Sequence, residues 1–126
     1  MSIRVVAAVI EQGGRYLVCL RPHGKRHGGL WEFPGGKVKG GESTSQAVAR
    51  ELAEELAVAV TFTGRVLFAR ADLGSEFVIE FVETEIRGSP VLLAHDQLVW
   101  CHPEELLQLP LAPSDRDFVL EHLTQG

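Results

Sequence analysis

Three glutamates, Glu51, Glu54 and Glu55, follow directly on an arginine, Arg50, and lie downstream of a glycine-rich run, GGKVKGG, at residues 35–41. On a helix of about 100° per residue their carboxylates fall within about 100° of one another, while Val48, Leu52 and Leu56 share the neighbouring face. One face packs and the other collects negative charge. Like charges at i and i+4 weaken a helix by about 0.2–0.5 kcal/mol, and this segment carries no lysine to offset them. A hard divalent cation would neutralise them, since Mg²⁺ is held by carboxylates and waters and shares its shell with substrate phosphates. The glycines ahead of the helix let backbone groups approach a ligand without side-chain obstruction. Together these features describe a metal-phosphate site. The plain alternative is the solvated acidic face of an ordinary amphipathic helix.

The elements that must position these groups are legible from pattern. Ser43 caps the helix, and Gln46 three residues later supplies the other half of a capping box. Residues 3–11 and 15–21 are β-rich runs around Gln12, Gly13 and Gly14, which predicts a hairpin. Residues 30–33 form a short apolar stretch stopped by Pro34, Gly35 and Gly36, and the glycines up to Gly41 predict a loop. Residues 60–70 and 75–86 read as strands, the second alternating Phe77, Ile79 and Phe81 against Val78, Glu80 and Val82. Residues 97–101 predict another strand, 103–107 a helical turn, and 114–123 an amphipathic helix with Phe118, Val119 and Leu123 inward. Strands and helices mix without βαβ alternation, so the fold class is α+β, in one domain over residues 1–126.

Composition narrows the function further. Hydrophobic residues make up 45% and charged residues 23% of the 126-residue chain, the balance of a soluble globular protein. A formal net charge of -5 repels a nucleic-acid backbone, so no nucleic-acid partner is expected. Cys19 and Cys101 sit in apolar runs without CxxC spacing and read as buried reduced thiols. The amino-terminal apolar run is too brief for a signal peptide or a membrane span, which makes a cytoplasmic protein the expectation. The histidines at 23, 27, 95, 102 and 122 show no metal-ligand spacing and are assigned only to loops and turns. The basic loop PHGKRHGG (22–29) either closes over a triphosphate or is mobile and solvated, and without a ligand the second is favoured.

Gly36, five residues, Glu42, seven residues, then REL-A-EEL-A-V through Val58 closely resembles the Nudix box, Gx5Ex7REUxEExGU with U a bulky aliphatic residue. Six glycine or charged anchors match at fixed spacing over residues 36–58. One element departs, because Ala57 stands where the box has glycine. If that position needs positive φ, the substitution costs about 1 kcal/mol. Beyond the box, LWEFPGGKV and LVWCHPEELLQLPLAPSDRDFV are similar to the flanking segments of the MutT-like branch, and of the bacterial CTP pyrophosphohydrolases in particular.

The resemblance implies a Nudix fold, a mixed β-sheet sandwiched between α-helices. It also implies hydrolysis of a nucleoside triphosphate, of the CTP, dCTP or 8-oxo-dGTP type, to monophosphate and pyrophosphate. Mg²⁺ would be the cofactor, with Mn²⁺ a possible substitute, and the purpose would be cleansing of the nucleotide pool. Carried onto this chain, Glu51, Glu54, Glu55 and the backbone carbonyl of Gly35 hold metal, Arg50 orients Glu51, and Glu42 pairs with Arg50. Glu54 or Glu51 takes the proton from water, or Asp96 does so from the loop before the last strand. Arg21 meets phosphate or is a strand-end arginine lying along apolar surface. Glu32 accepts from a base amine, Phe33 lines the base pocket, Asp115 reads the base or caps its helix, and Arg70 touches base or phosphate. Trp31 and Trp100 are core or pocket wall. The protein would be a monomer or homodimer. The readings held against this one are a Nudix hydrolase of ADP-sugars or dinucleotides, and a non-catalytic nucleotide-binding or protein-interaction module.

Overall fold

A computed structural model describes residues 2–72 and 74–124. The two-residue period of strand β1 (Ile3–Gln12) divides the protein into two layers. Val6, Ala8 and Ile10 pack on one side with Leu17, Cys19 and Val82, and Ala7 and Val9 pack on the other with Val18 and Phe81. Gly13 and Gly14, with φ of 60° and 82°, supply the two left-handed residues of a tight hairpin into β2 (Arg15–Leu20).

The hairpin is paired only near its turn, at Glu11↔Tyr16 and Gln12↔Arg15. Beyond it β1 and β2 part, and the chain from 31 to 37 enters the fork. Strand β3 (Trp31–Glu32) pairs with Leu20 and Cys19 of β2, and β4 (Gly35–Lys37) pairs with Ala7, Val6 and Val5 of β1. The glycines expected to form a loop up to Gly41 therefore begin as a strand. Gly35 permits this because a Cβ there would collide with the Val6 carbonyl. On its other side β1 runs parallel to β6 (Phe77–Arg87), which pairs antiparallel with β5 (Ala59–Ala71) at the sheet edge. Strand β7 (Gln97–Cys101) lies antiparallel to β2.

Helix α1 (Thr44–Leu56) covers one face of this mixed sheet with Ala47, Val48, Leu52 and Leu56, none more than 1% exposed. Burying each leucine contributes about 1.5–3 kcal/mol. The other face carries α2 (Pro103–Leu106) and α3 (Pro113–Phe118). Here Phe81 stacks on Phe118 at 4.7 Å between centroids, and Phe33 meets both edge-on. The predicted helix over 114–123 starts one residue early, with Pro113 at its first position, and passes into a π-helical turn over Val119–Leu123. Cys19 is buried and Cys101 half-buried, both as free thiols. Among the described residues no helix is long and apolar enough to cross a membrane.

The far end of α1 answers the question raised by the box alanine. Ala57 is left-handed, at φ 56° and ψ 37°, with its N–H donating to the Ala53 carbonyl. The Val91 and Leu93 N–H groups take the Leu56 and Glu55 carbonyls, at 2.8 and 3.1 Å. The terminus is thus satisfied, but by a residue whose Cβ disfavours the conformation. Ala57→Gly should raise stability by about 1 kcal/mol in chemical denaturation, with the slope unchanged.

Candidate active site

The acidic face of α1 is held by one cation. Arg50 donates through Nε to Glu42 Oε2 at 2.6 Å and through Nη2 to Glu42 Oε1 at 2.9 Å and the Lys37 carbonyl at 3.0 Å. Its Nη1 reaches Glu51 at 2.9 Å and, less closely, Glu54 at 3.3 Å. Glu42 also accepts from the Lys39 N–H, so the loop from β4 into α1 closes on this pair. The Arg50 guanidinium and the Lys39 amide hold the Glu42 carboxyl down, to about 2. Ser43 and Gln46 complete the capping box at 3.1 and 2.8 Å, which fixes the helix start.

The three glutamates occupy a gradient of burial. The Glu51 side chain is 12% exposed and that of Glu54 is 55% exposed. Glu55 accepts from the Gly35 N–H at 3.3 Å. Burial, and then the neighbouring Glu51, push the Glu55 carboxyl up, to about 9. This is no solvated acidic face. Gly36 lies against it so tightly that a Cβ would stand 2.5 Å from Glu51 Cδ. Among the described residues no three histidine, cysteine or carboxylate side chains stand in a metal-holding arrangement, so the expected ligand trio is not assembled. Its donor set is nevertheless all oxygen, in a cradle that only glycine leaves open. That chemistry fits a hard divalent ion.

Beside this cluster lies a cavity of about 330 Å³, bounded by Arg21, Glu32, Gly36, Ser114 and Asp115 and floored by Val5, Phe77 and Ile79. Several predicted residues stand elsewhere or are otherwise engaged. Both oxygens of Glu32 lie 3.2 Å from Arg21 Nη1, and Oε2 lies 2.9 Å from His95 Nε2, so it is an internal partner rather than an uncommitted acceptor for a base amine. Phe33 is 2% exposed and its ring belongs to the phenylalanine core, which removes it from the pocket lining. Arg70 ties β5 to the carboxy-terminal segment through Asp117 and Glu121, both at 2.9 Å, and stacks on Phe68, away from the cavity. Asp96 is exposed, and no polar contact among the described residues joins its carboxylate to the site.

Two residues escaped sequence reasoning. The His95 side chain is only 4% exposed, and among the described residues its Nδ1 is the one buried side-chain polar atom without a partner. Asp72 is 4% exposed and draws in Arg26 and His27, so the loop at 22–29 is tied down rather than free. Neither carries a spacing signal, because each meets its partners from a distant part of the chain.

Asp115 is 4% exposed, and its Oδ2 accepts from the Phe33 N–H at 2.9 Å. The cap position of α3 is Ala112, so capping is not the role of Asp115. Burial foremost, then nearby Glu32, raises its carboxyl well above 3.8. A neutral carboxyl donates as well as accepts. Because the unfolded chain gives up this proton first, stability is lost as pH rises above about 3.8 toward the folded value. Asp115→Asn keeps an acceptor for Phe33 without that penalty. Its melting temperature relative to wild type should rise between pH 4 and 8 and match wild type near pH 3.

Comparison with known proteins agrees with this geometry. The NUDIX domain model matches residues 1–122. The CTP pyrophosphohydrolase of Escherichia coli is 42% identical over 115 residues, 90% of this chain and 85% of that one. An 8-oxo-dGTP diphosphatase of Proteus vulgaris is 40% identical over 61 residues, 48% of this chain and 54% of that one. The crystal structure of a MutT NUDIX hydrolase from Burkholderia pseudomallei superposes with a TM-score of 0.84 at 26% identity, over 97% of this chain and 98% of that one. Spanning fold and box alike, these similarities establish that the chain belongs to the Nudix family of hydrolases, in its MutT-like branch.

Proposed function

We propose that this protein is a Mg²⁺-dependent nucleoside triphosphate pyrophosphohydrolase acting on CTP, dCTP or oxidised nucleotides such as 8-oxo-dGTP. One observation carries the reading. A carboxylate cluster organised by Arg50 opens beside a cavity lined by the buried Asp115, whose carboxyl is raised by burial. The names of the similar proteins support both substrate classes.

Glu51, Glu54, Glu55 and the Gly35 carbonyl would hold the cation, which supplies neutralisation of phosphate oxygens and a lowered pKa for attacking water. The remaining work belongs to the chain. Arg50 and Glu42 keep Glu51 in one rotamer, so the acids need not reorganise during the reaction. Glu54 is the most exposed of the three and is held only at 3.3–3.4 Å, which leaves it able to take a proton from water. Arg21, fixed by Glu32, offers positive charge at the cavity wall for the phosphates. Val5, Phe77 and Ile79 give the flat face of a base an apolar floor. With its carboxyl protonated, Asp115 would read the base edge as donor and acceptor, which suits the adjacent N3 and amine of cytosine and the N–H and carbonyl of an oxidised purine.

The test is a panel of CTP, dCTP, dGTP, 8-oxo-dGTP, ATP, ADP-ribose and a dinucleoside polyphosphate, assayed with Mg²⁺ and with Mn²⁺. The highest kcat/KM should fall on a cytidine or oxidised-guanine triphosphate. Turnover of ADP-ribose or the dinucleotide alone would reject the substrate assignment.

A further inference from the structure

Asp72 stands just past the end of β5, buried to 4% exposure and outside the glutamate cluster. Its carboxylate holds the loop that follows β2. Arg26 Nε donates to Oδ2 at 3.1 Å, and His27 Nε2 lies 3.2 Å from Oδ2 and 3.3 Å from Oδ1. The loop is shaped to make that contact. His27 has φ 58°, a conformation a β-carbon resists, and persists only where its surroundings require it. The Leu30 N–H returns to the His27 carbonyl at 3.1 Å, and the Gly28 N–H to the Lys25 carbonyl at 2.9 Å. Arg21 Nε donates to the Arg26 carbonyl at 2.6 Å, joining the loop to the arginine beside Glu32. A Cβ on Gly28 would stand 2.7 Å from the Pro22 carbonyl, so the loop closes on itself without slack.

Asp72, Arg26 and His27 together line the same cavity as Glu32 and Asp115. Asp72 is buried while Arg26 and His27 are partly exposed, so withdrawal of the loop would take these side-chain partners from a buried carboxylate. The wall consequently has one favoured position.

We propose that Asp72 is a positioning residue for nucleobase selectivity, clamping Arg26 and His27 as a fixed wall of the base cavity. The inference rests on the reading of that cavity as the base site. His27 Nε2 lies within 3.3 Å of both Asp72 oxygens, which gives the wall a defined place. At about 330 Å³ the cavity is near the lower end for ligand pockets, where a small displacement of one wall alters which base is accepted. Losing the clamp should blur discrimination while sparing the glutamate chemistry.

Two variants test this, Asp72→Ala and the loop double variant Arg26→Ala/His27→Ala, which removes the same contacts without touching the buried core. In each, the ratio of kcat/KM between the best and poorest triphosphate should shrink about tenfold, mainly through KM, with kcat for the best substrate within about twofold. A purely structural role would instead lower kcat/KM for every nucleotide in proportion and leave the ratio unchanged, and that result overturns the proposal. Tryptic cleavage after the exposed Lys25 or Arg26 gives a readout independent of turnover. It should be about tenfold faster in Asp72→Ala than in wild type under native conditions. Equal cleavage rates would also overturn the clamp. Wild-type protein that hydrolyses no triphosphate overturns the reading of the reaction. The clamp would then stand or fall on the cleavage rates alone.

Discussion

Glu54→Gln should fold as wild type does and lose turnover by a factor of about 10²–10⁴ in kcat, the range for removing a group that moves a proton in the transition state. Loss of a metal-holding oxygen would act in the same direction. The fold should not notice, because the Glu54 side chain is 55% exposed and its polar contacts among the described residues are with Arg50, at 3.3 and 3.4 Å. An exposed pair of this kind contributes about 0–1 kcal/mol, and glutamine keeps the shape. Denaturation midpoints should therefore coincide while pyrophosphate release disappears. Near-normal turnover by the folded variant would remove Glu54 from the chemistry.

Arg50→Ala should have the next largest effect, a fall of about 10–100-fold in activity, the usual consequence of removing a side chain that orients metal ligands, the role proposed for it. Arg50 joins Glu42, Glu51, Glu54 and the Lys37 carbonyl, so its removal leaves three carboxylates facing one another. Arg50→Lys should recover little, because an ammonium cannot span both oxygens of Glu42 while reaching Glu51. A pH series separates charge from shape. Glu42 is held to about 2 against an ordinary 4.5, so its pairing supports the fold above pH 4.5 and is lost as pH falls toward 2. The difference in melting temperature between Arg50→Ala and wild type should hold steady from pH 6 to 8, narrow below about pH 4.5 and close toward about pH 2. A gap that persists at low pH would mean that packing, and not this ion pair, is what Arg50 supplies.

The parts of the site readable from sequence were those set by short-range spacing. The capping box and the packing stripe of Val48, Leu52 and Leu56 depend on helix periodicity, and the contact of Arg50 with Glu42 eight residues away, which the family resemblance implied, on one short loop. The strands followed from alternation, as in Phe81 and Val82, which face opposite layers. What stayed hidden depends on which distant segments meet. Phe33 has the composition of a pocket residue, but the fork between β1 and β2 turns its ring onto Phe81 and Phe118. Arg70 was drawn off by acids 47 and 51 residues away, and Asp72 meets Arg26 across 46. His95 and Glu32 lie 63 apart. Gly35 and Gly36 read as a loop because propensity penalises glycine in strands, whereas here the close approach of Gly35 to Val6 is what the absent β-carbon permits.

The central claim is that the glutamate helix splits a nucleoside triphosphate between its α- and β-phosphates with help from a divalent cation. The most direct measurement is chromatographic separation of the products of CTP and of 8-oxo-dGTP, with pyrophosphate and orthophosphate counted separately, with Mg²⁺ and after chelation. The predicted result is nucleoside monophosphate and pyrophosphate in equal amounts, from at least one of the two, abolished by the chelator. Nucleoside diphosphate with orthophosphate, or turnover undiminished by chelation, would contradict it.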